Sequence, residues 1–208
     1  MERYKYPRTY HFPFSPGLGS DDKVFADFET YFTGKEVVIT EKMDGENTTV
    51  YKDYCHARSI DSQHRDYHSW LLNYIRSFQY ALNENERICG EYLYAKHSIG
   101  YDDLLSYFYV FSIWNEDDCL SWKDTVSRCD ELGLIHVPVL YEGIYSKDAV
   151  MQSVEKVKAK GGEGVVMRLA DAYKYNDFSH SIIKYVRENH VQTDEHWSLG
   201  VIEKNGLR

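Results

Sequence analysis

Short apolar runs broken by turn residues dominate the chain, and only three stretches carry helical spacing. The run Glu36-Val37-Val38-Ile39-Thr40 reads as a buried strand. Thr48-Thr49-Val50-Tyr51 reads as its hairpin partner, with Asp44-Gly45 between them as the turn signal. Residues 55–59 make a further short strand. Over 67–82 the residues Trp70, Leu71, Tyr74, Ile75, Phe78 and Leu82 fall on one face of a helix. Strands follow over 87–94 and 107–114. A helix from 121 or 122 to 132 is ended by Gly133. Another, capped by Ser146, runs to 160 and stops at Gly161-Gly162. Residues 137–141, 164–168 and 181–186 complete the strands. Strands that do not alternate regularly with helices predict an α+β fold on antiparallel sheets flanked by helices.

Composition narrows this picture. Pro7, Pro13, Pro16, Gly17 and Gly19 make residues 1–22 an extended arm, and residues 1–208 read as one domain carrying it. The net charge of −9 argues against non-specific coating of DNA, but a local basic groove remains compatible with it. No apolar run reaches bilayer length and the first residues lack a secretory stretch, so no membrane is expected. Cys55, Cys89, Cys119 and Cys129 form no C-x-x-C pair and read as free thiols in the cytoplasm. Aromatic residues make 15% of the chain, mostly for sheet packing, with some rings able to stack on bases. His64 and His68 have the spacing of helical metal ligands, but two ligands alone read better as a solvated polar face. Lys156, Lys158 and Lys160 suit the end of their helix.

The chemistry concentrates in five segments. Glu41-Lys42-Met43-Asp44-Gly45-Glu46-Asn47 puts a lysine at the end of an apolar strand. Glu91 sits in the strand over 87–94, and Phe111 in the aromatic strand after it. Glu163 precedes the apolar run Gly164-Val165-Val166. Lys184 lies inside Ile182-Ile183-Lys184-Tyr185, where a cation needs an anionic partner.

In this order and spacing, the segments resemble the covalent nucleotidyltransferase superfamily: ATP-dependent DNA and RNA ligases and mRNA capping enzymes. The likeness spans residues 42–187, and Asn47 leans toward the RNA ligase 2-like branch. It implies Lys42 as the nucleophile that takes AMP from ATP, Arg58 and Lys184 as cations at the phosphate, and Phe111 as the ring on the purine. Tyr109 and Phe108 are its rivals for that place. Glu41, Asp44, Gly45 and Asn47 would border the nucleotide. Glu91 and Glu163 would hold Mg2+, or Mn2+ in its place, unless Glu91 holds the ribose hydroxyls. Val186 stands where a second lysine is usual, so either Arg187 reaches round or the charge comes from elsewhere.

The implied activity joins RNA 5′-phosphate and 3′-hydroxyl ends through lysyl-AMP and an adenylylated 5′ end. The amine needs a pKa below its reference of about 10.4. Glu41, Asp44 and Glu46 are therefore expected to face ribose, backbone or solvent. Only 21 residues follow Arg187, so no OB-fold is expected. A protein partner is then one source of the missing grip on the strand. Two rival readings stay open. One is a minimal DNA ligase or a GTP-using guanylyltransferase; the other is a non-catalytic nucleotide or RNA-end binding module. The joint presence of Lys42, Glu91, Glu163 and Lys184 favours an enzyme.

Overall fold

The computed structural model describes residues 2–188 and 202–208. Its strands are β1 (Tyr10–His11), β2 (Glu36–Lys42), β3 (Glu46–Tyr51), β4 (Cys55–Ala57), β5 (Glu86–Tyr92), β6 (Phe108–Asn115), β7 (Asp118–Cys119), β8 (Ile135–His136), β9 (Val139–Ile144), β10 (Gly164–Leu169), β11 (Tyr173–Lys174) and β12 (Ile182–Val186). The α-helices are α1 (Glu29–Phe32), α2 (Ser69–Ile75), α3 (Trp122–Leu132), α4 (Lys147–Ala159) and α5 (Phe178–Ser181). One sheet has the order β1-β12-β10-β2-β9. The other runs β11-β7-β6-β5-β3-β4, with β8 added beside β6. Pairing is antiparallel except at β1–β12 and β6–β8. Among the described residues, no helix is long and apolar enough to cross a membrane.

The α+β expectation holds, as do both long helices. Ser121 accepts from the Asp124 amide, and Gly133 ends α3 in the left-handed region at φ 66°. Ser146 caps α4 through the Ala149 amide. The hairpin expectation fails. β2 pairs with β10 and β9, whereas β3 pairs with β5 and β4. Residues 43–45 are therefore a crossing between sheets. Gly45 is needed there because a Cβ would stand 2.5 Å from the Tyr92 carbonyl oxygen.

The helix over 67–82 is also shorter than expected. Leu71, Ile75, Phe78 and Leu82 are buried as the stripe requires. The chain nevertheless leaves the α-helix after Ile75, through three-residue turns from the Ser77 amide to Tyr74 and the Phe78 amide to Ile75. The Ser77 hydroxyl takes the same Tyr74 carbonyl, the competition that ends helices at serine. His68 is not on a solvated face. It is buried, and its Nε2 lies 2.7 Å from Glu46.

Each sheet has its own core. Val37, Ile39, Val165, Met167, Ile183 and Tyr185 project from the first sheet against Val150, Val154 and Val157 of α4 and against Phe12, Phe25 and Phe28. The second core joins sheet residues such as Ile88, Val110, Ile113 and Trp114 to α2 and α3. At its edge, Arg128 of α3 grips both oxygens of Glu86 at 2.8 and 2.9 Å. Glu86→Ala leaves Arg128 without that partner, and urea unfolding should show a loss of about 3 kcal/mol, the low end for a buried pair because Arg128 keeps some water contact.

Candidate active site

The two sheets face each other across a cleft of about 200 Å³. Strand alternation selects what lines it. On the first sheet these are Thr40 and Lys42 of β2, Val166 and Arg168 of β10, and Ile182 and Lys184 of β12. The second sheet adds Asn47 of β3, Glu91 of β5, Phe111 of β6 and, just beyond β4, Arg58. Register places Lys42 beside Gly164, Lys184 beside Val166 and Asn47 beside Glu91. Gly164 is essential to this layout, since a Cβ there would lie 1.9 Å from the Tyr185 carbonyl oxygen.

A second cavity of about 520 Å³ opens on the other side of Lys42 and Lys184, and Glu163 lies in its wall. The Lys42 ammonium meets Glu163 Oε2 at 2.6 Å, where the two cavities join. Burial favours the neutral amine of Lys42. Glu163, Glu91 and Asp44 outweigh it, so its pKa lies above the usual lysine value. The expected lowering is therefore absent in this arrangement of carboxylates. Lys184 has the anionic partner its apolar strand calls for, Asp22 at 3.6 Å, while burial and Lys42 lower its pKa.

The expected neighbours of Lys42 divide. Asn47, Arg58, Glu91, Phe111 and Lys184 come together at the cleft. Phe111 alone of the three rival rings lines it. Phe108 packs under Gly90, and the Tyr109 hydroxyl accepts from the Leu105 amide. Glu41 borders the cleft, but its carboxylate lies on the opposite face of β2 against Gly162, because successive strand residues point to opposite sides. Asp44 and Gly45 do not line the cleft. Asp44 Oδ2 accepts from the Ser98 and Ile99 amides at 2.8 Å each, and the Gly45 amide donates to Glu91. Glu46 turns to His68 and Tyr67. No side chain of Glu41, Asp44 or Glu46 bonds the Lys42 amine, as expected. Arg187 also stays out of the cleft, since its Nε donates to the Gly162 carbonyl at 2.9 Å. The additional positive charge in the cleft comes from Arg8 and Arg168.

Other contributors had no local signal. Tyr6, Arg8, Thr9 and Asp22 of the arm wall the cleft. The arm pairs beside β12, with His11 against Lys184. It thus forms an edge strand and covers the site at once. Asp22 lies 3.3 Å from His11 Nε2 and accepts from the Gly19 amide. Burial and Lys184 push the His11 pKa down to about 4, so its ring is neutral at pH 7. Arg168 was open to the argument applied to Lys184, a cation within an apolar strand. It bonds the Phe111 carbonyl and lies over the Trp122 ring.

Two buried atoms on cleft residues lack hydrogen-bond partners among the described residues, Asn47 Oδ1 and Arg168 Nε. Buried polar atoms are normally satisfied, so an orphan acceptor and an orphan donor fit a polar ligand. Glu91 and Glu163 offer hard oxygens suited to Mg2+, with water and phosphate as its other ligands. Burial raises the Glu91 pKa to about 8, with Glu163 adding to the effect and Lys42 opposing it. A cation beside Glu91 would restore its charge.

The family model for RNA ligases matches residues 35–186. The chain belongs to the RNA ligase family. Solved structures share its fold at low identity. An archaeal ATP-dependent RNA ligase is 18% identical over 88% of this chain and 48% of its own, with TM-score 0.57. A Naegleria gruberi RNA ligase, in a lysine-to-alanine mutant holding ATP and Mn, is 18% identical over 79% of this chain and 53% of its own, with TM-score 0.57. A candidate ATP-dependent DNA ligase from Aquifex aeolicus is 17% identical over 89% of this chain and 50% of its own, with TM-score 0.58. The chain thus spans about half the length of these structures. The search of curated proteins finds no match.

Proposed function

We propose that this chain is an ATP-dependent RNA ligase acting through a lysyl-AMP intermediate on Lys42. The observation that carries the reading is the 2.6 Å Lys42–Glu163 pair at the junction of two cavities, one of them lined by Phe111, Asn47, Arg58 and Lys184. The Lys42 ammonium first gives a proton to solvent, and its neutral Nζ then bonds the α-phosphorus of ATP as the bond to pyrophosphate breaks. Glu163 is placed to accept the amine proton, which becomes acidic once nitrogen bonds phosphorus. Lys184 and Arg58 supply charge to the α-phosphate, and Phe111 stacks on adenine. A divalent ion, when bound near Glu91 and Glu163, neutralises triphosphate charge. The AMP then passes to an RNA 5′-phosphate, and a 3′-hydroxyl displaces it.

Residues 1–208 then form one nucleotidyltransferase domain, with the arm over residues 1–22 walling its cleft. Four buried free thiols suit a reducing cytoplasm. A groove supports the strand assignment. Lys5, Arg8, Arg58, Ser59 and the Tyr175 ring line it, and Tyr6, Pro7, Arg8 and Arg58 also line the cleft. Among the described residues no carboxylate lines this groove, despite the overall charge of −9. Neither Lys5 nor Arg58 forms an ion pair among the described residues. A protein partner extending this surface belongs to the same proposal. Lys5→Glu is expected to weaken RNA binding about tenfold at low salt and flatten its salt dependence, with enzyme–AMP formation unchanged. Binding titrations at two salt concentrations check this.

The direct test of the reading is transfer of label from α-labelled ATP to the denatured protein, followed by joining of 5′-phosphate RNA. Label from GTP alone would reassign the nucleotide. Label from neither would leave a binding module.

A further inference from the structure

Residues 202–208 pack on the loop over 93–107, and the ligation chemistry makes no use of them. Asn205 is buried, and every polar group on it is engaged. Its Oδ1 accepts from the Tyr101 amide at 2.9 Å, and its Nδ2 donates to the Leu93 carbonyl at 2.8 Å. Its own amide donates to the Tyr94 carbonyl, and its carbonyl accepts from the Tyr107 hydroxyl at 2.9 Å. The neighbours of Asn205 extend the grip. The Gly206 amide bonds the Tyr101 carbonyl, the Lys96 amide bonds the Glu203 carbonyl, and Arg208 pairs with Asp103. The segment therefore fastens the loop over 93–107 at both ends.

That same loop holds the residue two places after Lys42. The Ser98 and Ile99 amides bond Asp44 Oδ2 at 2.8 Å each, and the Tyr101 hydroxyl accepts from the Asp44 amide at 2.9 Å. Tyr101 thus receives Asp44 through its side chain and Asn205 through its backbone. On its other side, the crossing over 43–45 is fixed by Glu91 through the Gly45 amide.

We propose that Asn205 is a positioning residue for Lys42. It orders the 93–107 loop, the loop fixes Asp44, and Asp44 fixes the angle at which β2 delivers the nucleophile. Placement errors of about 1 Å are costly in such reactions. The kinetic arm rests on the ligase reading; the structural arm does not.

The experiment compares wild type, Asn205→Leu, Asp44→Ala and the double variant, all as full-length chains. It measures single-turnover adenylylation at saturating ATP, the KM for ATP, and amide hydrogen exchange. Asn205→Leu should slow adenylylation about tenfold with KM within about threefold. Its Ser98 and Ile99 amides should exchange at least about tenfold faster. In the Asp44→Ala background, Asn205→Leu should change the rate by less than about twofold, since both act through one chain of contacts. Should Asn205→Leu fail to fold, Tyr107→Phe removes one bond to Asn205 and carries the same measurements. Unchanged exchange at Ser98 and Ile99, or an equal loss of rate in both backgrounds, overturns the proposal. If wild type forms no enzyme–AMP, the ligase reading falls, and the exchange data still decide whether Asn205 orders the loop.

Discussion

Lys42→Ala is expected to abolish RNA joining with ATP while leaving sealing of a pre-adenylylated strand within about tenfold of wild type. The asymmetry follows from geometry. Among the described residues Lys42 provides the one amine paired with Glu163, so the first step has no substitute nucleophile there. The last step needs the adenylylated phosphate aligned with a 3′-hydroxyl. Phe111, Arg58 and Lys184 remain in place for that alignment. Equal loss of both reactions would place Lys42 in strand binding and not in covalent transfer.

Glu163→Gln is expected to slow adenylylation by about 100-fold, the scale on which a well-placed charged group matters in such a transition state. Its pH profile should move the opposite way from a simple loss. Lys42 is pulled in two directions: burial favours its amine, while Glu163, then Glu91 and Asp44, favour its ammonium. Glu163→Gln takes away the carboxylate that does most to hold the proton on Lys42. The reactive amine should therefore appear at lower pH, and the rising limb of the rate profile should shift toward acid. In wild type that limb should still climb through pH 8, because Lys42 remains protonated there. Single-turnover rates across pH check both statements. A Glu163→Gln profile that keeps the wild-type midpoint would show that Glu163 does not govern Lys42.

Much of the site was legible because strand periodicity is local. Lys184 sits two residues from Ile182, and both reach the cleft as alternation requires. Alternation also turns Glu41 away from Lys42, in line with the expectation that its carboxylate does not face the amine. Asp44-Gly45 misled for a different reason. A turn dipeptide indicates where a strand ends, but not which strand pairs next, and here the flanks of β2 belong to β9 and β10. Asp22, Tyr6 and Asn205 carried no signal. Their partners lie far away in sequence: Lys184 for Asp22, Phe111 for Tyr6, and Tyr101 for Asn205. Such contacts depend on the folded sheet order, which periodicity does not encode.

Peptide mass spectrometry of the wild-type chain after incubation with ATP and magnesium decides whether Lys42 carries the covalent AMP. One AMP is expected on the peptide containing Lys42, attached at that side chain and lost in Lys42→Ala. An AMP mapped to Lys184 or any other residue, or no covalent nucleotide at all, would contradict that assignment.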